Sequence, residues 1–270
     1  MKVLTTILKF ILKNWVAAVF IVIATFMQYN GYSDKPVVIF LSVGQGDAIL
    51  IQQDGFQILV DGGPDDAVLY ELAKYIPMYD RNIEIVVLTH AHDDHLKGLL
   101  MVLENYNVDS IWYSPSCVST PSYQFLLKEY AENLVKVDSS TKLQYGDMSM
   151  SVIYPVEAKC EENINNESIV LDVEVNGKRI LLMGDAEKEV EERIFDDIGD
   201  IDILKAGHHC SRTASSEMFL NSIDPEIAIC SVGEGNKFGH PHNETLEMFK
   251  KLNVQYLITY EEGNIVFELE

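Results

Sequence analysis

The chain has 270 residues, 47% of them hydrophobic, so it is long enough to bury one large core or two small ones. Proline and glycine are not in excess, and we find no low-complexity block and no repeat at solenoid or propeller periods, which excludes a repeat architecture. With 20 Lys and Arg against 42 Asp and Glu, the net charge of −22 repels polyanions, so a nucleic-acid function requires a local basic patch.

Residues 1–34 differ in composition from the rest of the chain. Three lysines precede an uncharged apolar run from Trp15 to Met27, a pattern that is typical of a secretory signal. With its flanking residues, the run approaches the roughly 20 residues of a membrane-spanning helix, and the positive-inside rule then places residues 35–270 outside the cell. A buried N-terminal helix is the alternative, but the run has no polar face. We predict a signal or membrane anchor over 1–34, with 35–270 secreted or on the extracellular face of the membrane.

Strand and helix patterns alternate along residues 35–270. Asp54-Gly55 and Asn176-Gly177 each separate two alternating apolar runs, which predicts two β-hairpins. Strands are further expected at 84–90, 109–114, 202–209 and 226–233, with a closing strand pair near 254–269. Helices are expected at 66–76, 96–106, 120–131, 186–195, 214–221 and 243–252. Because hairpins need antiparallel pairs, two sheets face to face with helices outside fit better than one doubly wound parallel sheet.

Polar residues follow the buried strands at the points where those strands end. Asp61 follows ILV, His90 follows VVLT, Asp185 follows ILLMG, and His208 and His209 follow ILKAG. Proteins of the α/β class build their sites where buried strands deliver polar groups to one rim. Four such strand ends in one chain therefore predict a functional site.

Residues 89–95, THAHDDH, contain three of the seven histidines of the chain and two carboxylates. In a tight loop, His90 and His92 can converge on one ion while Asp94 and His95 face a second. Imidazole and carboxylate ligands suit Zn²⁺, Fe or Mn²⁺ and do not suit Ca²⁺. Asp185 between two ions could bridge them at about 3.5–4 Å. A lone histidine is usually structural, but this density predicts metal binding.

THAHDDH resembles the H-x-H-x-D-H signature of the metallo-β-lactamase superfamily. FLSVGQGDAIL, LVDGG, NNESIVL, LLMGD, ILKAGHHCS and SVG-x-x-N-x-x-GHPH, in that order, are similar to the C-terminal hydrolase domain of the ComEC competence proteins. The resemblance covers about residues 37–269. It implies an α/β fold of the αββα sandwich type, with two mixed sheets and helices on the outer faces, and a metal-dependent hydrolase.

The resemblance also implies a ligand for each position of a two-metal centre. His90 and His92 would bind the first metal and Asp94 and His95 the second, with Asp185 as the bridge. One of His208 and His209 would complete the second site, and the choice between them stays open. The implied cofactors are two divalent ions, with Zn²⁺ or Mn²⁺ favoured.

Further residues around this centre are expected to support it or to contact substrate. Asn165, Asn166 and Ser168 replace the usual third histidine of the first site, and asparagine is a weaker ligand than imidazole, so the first metal is expected to be loosely held. Asp61 would orient the histidine loop. Four more candidates are Asp47, Lys205, Ser211 and Lys237.

Two departures from the related domains affect residues near these motifs. Ser42 stands where the related domains usually have aspartate, and Cys210 stands where they have glycine. We interpret Cys210 mainly as a packing substitution, with a zinc-ligating thiolate as the alternative. The cysteines at 117, 160, 210 and 230 show no paired spacing, so disulfide connectivity is not predicted.

The GHPH motif at 239–242 has two interpretations. It could cap a helix, since Pro241 suits a first helical turn. Alternatively, His240 and His242 contact substrate or protonate the leaving group, which the resemblance favours. With Asp94 and His208, they form the predicted catalytic set.

Basic residues are scarce, yet Lys97, Lys205, Arg212 and Lys237 all lie within a few residues of these motifs. Either they form a cationic rim that binds an anionic phosphodiester, or they merely solvate the ends of strands and helices. The leading hypothesis is an exported metal-dependent phosphodiesterase that uses a water activated by two metals and acts on DNA ends or single strands. A membrane contact through the N-terminal segment would persist if that segment is not cleaved.

Two other functions stay open at this point. One is an acyl or lactone hydrolase of the same fold, such as a β-lactamase. The other is a non-catalytic module that binds DNA or wall polymer and uses metals structurally.

Overall fold

The structure is a computed structural model that describes residues 13–17, 19–22, 35–157 and 160–269. Residues 13–17 and 19–22 are helical and exposed. Within the described ranges, no helix is long and apolar enough to cross a membrane. Most of the predicted signal or anchor segment lies outside the described residues.

Two seven-stranded mixed sheets lie at the centre of the described region. Their strands are Val37–Phe40 (β1), Ile49–Gln53 (β2), Phe56–Val60 (β3), Asn82–Leu88 (β4), Asn107–Tyr113 (β5), Leu134–Lys136 (β6), Lys142–Tyr145 (β7), Met148–Tyr154 (β8), Val170–Val175 (β9), Lys178–Leu182 (β10), Ile203–Lys205 (β11), Ile227–Cys230 (β12), Gln255–Ile258 (β13) and Ile265–Glu268 (β14). The first sheet has the order β14-β1-β2-β3-β4-β5-β6 and the second β13-β12-β11-β10-β9-β8-β7. Each sheet joins antiparallel hairpins to a parallel half, which runs from β3 to β6 in the first and from β10 to β13 in the second.

The helices cover the outer faces of both sheets. They are Ala67–Leu72 (α1), Asp93–Asn105 (α2), Pro121–Glu129 (α3), Lys188–Ile198 (α4), Glu217–Ile223 (α5), Asn243–Lys251 (α6) and Thr259–Glu262 (α7). Apolar residues of α1, α2 and α3 pack on the first sheet, and those of α4, α5 and α6 pack on the second. A third apolar cluster, with Phe40, Ile58, Met150 and Leu171 among its members, fills the space between the sheets. The predicted αββα sandwich is therefore confirmed.

Both predicted hairpins are present. Asp54 and Gly55 join β2 to β3, and Asn176 and Gly177 join β9 to β10. All four residues have positive φ, as the two central positions of a type I′ turn require.

The structure corrects several predicted boundaries. The helix expected at 96–106 begins at Asp93, so Asp94 and His95 lie in its first turn and not in a loop. Carboxylates are favoured there because they face the positive end of the helix dipole. The strand expected at 202–209 ends at Lys205, because 207–210 form a 3₁₀ turn in which His208 and His209 have positive φ.

The two strands expected near 254–269 exist but do not pair with each other. β13 joins the second sheet beside β12, whereas β14 joins the first sheet beside β1. The short helix α7 connects them, so each strand extends the open edge of a different sheet.

The parallel halves of the sheets determine where the site lies. Parallel strands end at the same edge of a sheet, so the residues after β3 and β4 meet those after β10 and β11. Close packing of β3 against α2 depends on glycine, since a Cβ at Gly98 would lie 1.7 Å from the carbonyl oxygen of Gly62. This contact fixes the start of α2 above the end of β3.

Candidate metal centre

Six side chains form two adjoining groups, which we call the metal centre. The first group is His90, His92 and Asp185, and the second is Asp94, His95 and His209. Within each group, the potential ligand atoms lie within 4.8 Å of one another. They come from the ends of β4, β10 and β11 and from the first turn of α2.

Asp185 lies between the two groups. Its Oδ1 is 3.4 Å from His95 Nε2 and 3.3 Å from His209 Nε2. Its Oδ2 is 3.8 Å from His90 Nε2. One carboxylate thus faces both groups, as a ligand shared by two ions does.

The hydrogen bonds of two histidines leave one ring nitrogen available for a cation. Nδ1 of His95 lies 2.8 Å from Asp61 Oδ2, and Nδ1 of His209 lies 2.9 Å from the Ser231 carbonyl. Each Nδ1 therefore donates, which leaves the lone pair on Nε2. Nε2 of both rings and Oδ1 of Asp185 are buried without a hydrogen-bond partner among the described residues. Buried polar atoms normally have partners, so these atoms fit a divalent cation.

The pKa shifts of the histidines in the metal centre also fit a bound cation. Burial lowers the pKa of His90 well below its ordinary value, which keeps this ring neutral and able to bind a metal. Burial also opposes charge on His95, but Asp185 and Asp61 outweigh it and hold the pKa well above the ordinary value. These carboxylates attract a positive charge to the position that a metal ion would take.

Asp61 supports the metal centre from beneath. One carboxylate oxygen accepts the Thr89 backbone N–H at 2.9 Å, and the other accepts the Thr89 hydroxyl at 2.6 Å and faces His95. One buried carboxylate therefore holds both ends of the 89–95 stretch, Thr89 and His95.

We expect Asp61→Ala to lower metal affinity about 10–100-fold, because His95 loses the acceptor that fixes its tautomer. Calorimetric titration of each protein with Zn²⁺ or Mn²⁺ measures the change in affinity. The variant Asp65→Ala, which removes a carboxylate outside the centre, is the control. An unchanged affinity in Asp61→Ala would contradict this role.

Lys205 does not belong to a cationic rim, so this prediction is wrong. Its side chain is fully buried, and Nζ lies 2.7 Å from Asp47 Oδ2. Asp47 also lies 3.3 Å from His209 Nδ1. The strand β11 directs Lys205 inward, where its charge is paired with the carboxylate that helps to position His209.

Asn165, Asn166 and Ser168 have different surroundings. Asn165 faces the cavity and donates to Glu187 at 2.8 Å. Asn166 accepts the backbone N–H of Glu187 at 3.0 Å, and so holds the start of α4. Ser168 accepts the backbone N–H of Asp185 at 3.0 Å. Of the three, only Asn165 lines the cavity.

The structure separates the two neighbouring histidines that the sequence left open. His209 lies in the second metal group, whereas His208 faces the cavity with Nδ1 2.9 Å from Glu187 Oε1. Cys210 forms a disulfide with Cys230, and Cys117 forms one with Cys160. The alternative of a zinc-ligating Cys210 thiolate is therefore wrong, because its sulfur is already bonded.

The two histidines of GHPH also differ. His240 lines the cavity, and burial lowers its pKa to about 4. His242 Nδ1 accepts the backbone N–H of Arg212 at 3.1 Å, outside the cavity, and is the residue before α6. Pro241 precedes the helix, which begins at Asn243, and so is not in its first turn. Ser211 is buried and accepts hydrogen bonds from Thr213, away from the cavity.

The metal centre opens into a cavity of about 210 Å³. Sequence reasoning missed two of the residues that line it, Gln45 and Phe238, and also Glu187, which holds His208. Gln45 lies in the first glycine turn, where a Cβ at Gly46 would meet the Asp94 carbonyl at 2.1 Å. That turn therefore packs directly on the metal centre, and its glycines were the available signal for Gln45. Glu187 follows the LLMGD motif, and Phe238 precedes GHPH, but neither carries a signal of its own.

The αββα fold and the two histidine–aspartate groups define a metallo-β-lactamase type of centre. Residues 41–122 match the sequence model described as the Metallo-beta-lactamase superfamily. The chain therefore contains a metallo-β-lactamase superfamily domain, a class that consists mostly of metal-dependent hydrolases.

Proteins similar to this chain include some that are named for competence or recombination. ComE operon protein 3 of Bacillus subtilis (strain 168) is 31% identical over 263 residues, which cover 88% of this chain and 34% of that protein. Recombination protein 2 of Haemophilus influenzae (strain ATCC 51907 / DSM 11121 / KW20 / Rd) is 31% identical over 213 residues, 77% of this chain and 25% of that protein. The chain thus spans about a third or less of these curated relatives.

Solved structures give the same fold. The metallo-β-lactamase fold protein YhfI of Bacillus subtilis has a TM-score of 0.58 with this chain at 14% identity, over 86% of this chain and 99% of that chain. At this identity the likeness shows the fold alone.

Proposed function

We propose that this chain is an exported phosphodiesterase with two divalent ions, and that single-stranded DNA is its substrate class. The observation that carries the proposal is the position of Asp185 between two ligand groups, at the floor of a cavity open to solvent. A carboxylate shared by two ions is the arrangement that many phosphoester-cleaving enzymes use.

The bound ions, Zn²⁺ or Mn²⁺, would lower the pKa of a water molecule and stabilise negative charge on the phosphoryl group. The residues of the chain then position the substrate and supply protons. His208 is held by Glu187 at 2.9 Å and faces the cavity, so it is placed to protonate the leaving oxygen. His240, neutral because of its low pKa, donates a hydrogen bond to a substrate oxygen.

Phosphodiester hydrolysis is favoured over acyl or lactone hydrolysis by the groups around the cavity. Asn165, which the resemblance places among the residues that replace a third histidine, lines the cavity, and Lys97 and Lys237 lie in a groove that opens from it. One of the similar proteins is named for recombination and another for competence, which supports DNA as the polymer.

Export is supported by the cysteines. All four cysteines of the chain are paired in the two disulfides, and disulfides persist mainly in oxidising compartments. The apolar N-terminal segment would direct the chain there, as a cleaved signal or as a membrane anchor.

The test uses the 270-residue chain with its disulfides intact, loaded with Mn²⁺ or Zn²⁺ and given end-labelled single-stranded DNA. Asp94→Ala removes a ligand of the second group, so we expect cleavage to fall at least ~100-fold, more than loss of an outer contact would cause. Glu104→Ala, an exposed carboxylate farther along the same helix, should cleave like the parent chain.

If the chain binds two ions and cleaves no DNA with either metal, the nuclease function is wrong. Wall phosphodiesters and lactones are then the next substrates to assay.

A further inference from the structure

A groove of about 380 Å³ continues from the metal-centre cavity towards the first turn of α2, and we call it the side groove. Gln45, Asp94 and Phe238 line both the cavity and the side groove, while Lys97 and Lys237 line only the groove. A polymer whose reacting phosphate lies at the metal centre would therefore continue directly into the side groove.

Phe238 is an aromatic side chain held at the junction of the two spaces. The residue is 49% exposed, and its ring stacks on that of His240, with centroids 5.8 Å apart and planes at 21°. One side of the ring is thus supported by a buried residue of the cavity, and the exposed part faces the groove. A supported, half-exposed ring is the arrangement on which nucleobases stack.

The loop around Phe238 is fixed by Asn236. The Oδ1 of Asn236 accepts the backbone N–H of Phe238 and of His240, both at 3.1 Å. Its Nδ2 donates to the carbonyls of Gly233, at 3.0 Å, and His240, at 2.6 Å. The Asn236 side chain donates two hydrogen bonds and accepts two, which hold the loop before any ligand binds, so stacking on Phe238 costs little ordering of the protein.

In the side groove the two lysines balance two carboxylates, Asp93 and Asp94, whereas the protein as a whole has a net charge of −22. Lys237 Nζ lies 5.0 Å from the Phe238 ring centroid. Lys97 pairs with Asp93 at 2.9 Å, but both side chains are about half exposed, and such pairs contribute little. Both lysines can therefore turn to the phosphates of a strand that lies in the groove.

We propose that Phe238 is the stacking platform for the nucleobase next to the scissile phosphate of a single strand, with Lys97 and Lys237 contacting the flanking phosphates. This proposal rests on the proposed nuclease function and deepens it, because it names the feature of the substrate that the site recognises. Since every base has a flat face, the platform binds without strong sequence preference. A paired base is already stacked in a duplex, so the platform favours single strands.

The experiment compares metal-loaded Phe238→Ala with the metal-loaded parent chain on two substrates. One is a single-stranded oligonucleotide, and the other carries an abasic residue next to the cleaved linkage. On the intact strand, we expect Phe238→Ala to raise KM about 10-fold with little change in kcat. On the abasic strand, the parent should already have the raised KM, and the substitution should add nothing.

Two further variants separate stacking from a general loss of structure. Phe238→Trp should keep the parent KM because tryptophan also supplies an aromatic face, which is larger than that of phenylalanine. Phe125→Ala removes a ring of similar exposure on α3, 42% against 49%, and should leave both substrates unaffected. Lys237→Gln should reduce the salt dependence of binding by about 0.7 in log–log slope, the value for one phosphate contact on a single strand.

The outcomes distinguish this proposal from the nuclease function itself. If Phe238→Ala is equally impaired on both substrates, or on neither, the stacking platform is wrong although cleavage stands. If the parent cleaves no DNA, fluorescence anisotropy of the metal-loaded chain decides. If Phe238→Ala then binds the intact strand more weakly than the parent does, but binds the abasic strand equally well, the platform is supported although the nuclease function is wrong. Absence of binding by the parent overturns both.

Discussion

Asp185→Asn is expected to lose metal from both groups of the centre and to lower hydrolysis at least ~100-fold. The substitution keeps the shape of the side chain and removes the charge that both groups share. Loss of a contact outside the ligand shell costs about 10–100-fold in affinity or activity, and loss of a shared ligand should exceed that. Asp185 lies within 3.8 Å of a ring nitrogen in His90, His95 and His209, so all three lose their common partner.

Metal content per chain, measured by mass spectrometry after dialysis, gives the first readout. The second is the metal-dependent rise in the thermal unfolding midpoint, which reports binding to the folded state without any catalytic assay. Both should fall in Asp185→Asn and stay unchanged in Asp147→Asn, an exposed carboxylate in the turn between β7 and β8. Two tightly bound ions in Asp185→Asn would show that Asp185 is not a shared ligand.

The charge of Asp185 explains why the loss of metal in Asp185→Asn should extend to both groups of the metal centre. Burial alone would raise the pKa of Asp185, but His209 and His95 reverse this effect and hold it well below the ordinary value. Asp185 is therefore charged in the folded protein, and its charge would balance a cation bound on either side. An asparagine leaves the imidazoles facing each other without that charge.

The fold could be predicted from the sequence where local chemistry decides it. Asp54-Gly55 and Asn176-Gly177 determine two hairpins because few other residues adopt both positive φ angles of the turn. The strands with which β13 and β14 pair could not be predicted in this way. It depends on which sheet edge each strand reaches, and that is a long-range property of the packed molecule.

The candidate site shows the same division. The spacing of His90, His92 and Asp94 indicated two metals because all three lie in one short stretch. The inward direction of Lys205 had no local signal, since a buried lysine differs from an exposed one only through its partner, Asp47. The choice of His209 over His208 likewise depends on left-handed backbone angles in the turn, which sequence patterns do not reveal for residues other than glycine.

Replacing Cys210 and Cys230 with alanine is expected to destabilise the chain and weaken the second metal group together. The two cysteines are 20 residues apart in the sequence, and their disulfide closes the loop between them. Loss of the disulfide should therefore lower the free energy of unfolding by about 3 kcal/mol. Cys210 directly follows His209, and the turn is tied to the end of β12 twice, by the disulfide and by the hydrogen bond from His209 to Ser231. Without the disulfide, the turn keeps only the hydrogen bond to Ser231 of these two ties, so His209 should be held less firmly and metal affinity should fall about 10–100-fold.

The second disulfide provides the matched control. Cys117 and Cys160 close 43 residues, so their replacement should cost about as much stability or slightly more. They lie outside the metal centre, however, and metal affinity should stay unchanged. Urea unfolding and metal titration of both double variants test this difference, and equal loss of affinity in both would show that stability alone controls metal binding.

A third variant tests why cysteine occupies position 210. The residue has a φ of 59°, a backbone region that favours glycine, and glycine is what the resembling domains have there. The disulfide therefore holds a conformation that glycine would adopt without strain. Cys210→Gly combined with Cys230→Ala should recover part of the metal affinity that the double alanine variant loses, although neither has the crosslink. If glycine recovers nothing, the crosslink itself and not the backbone geometry positions His209.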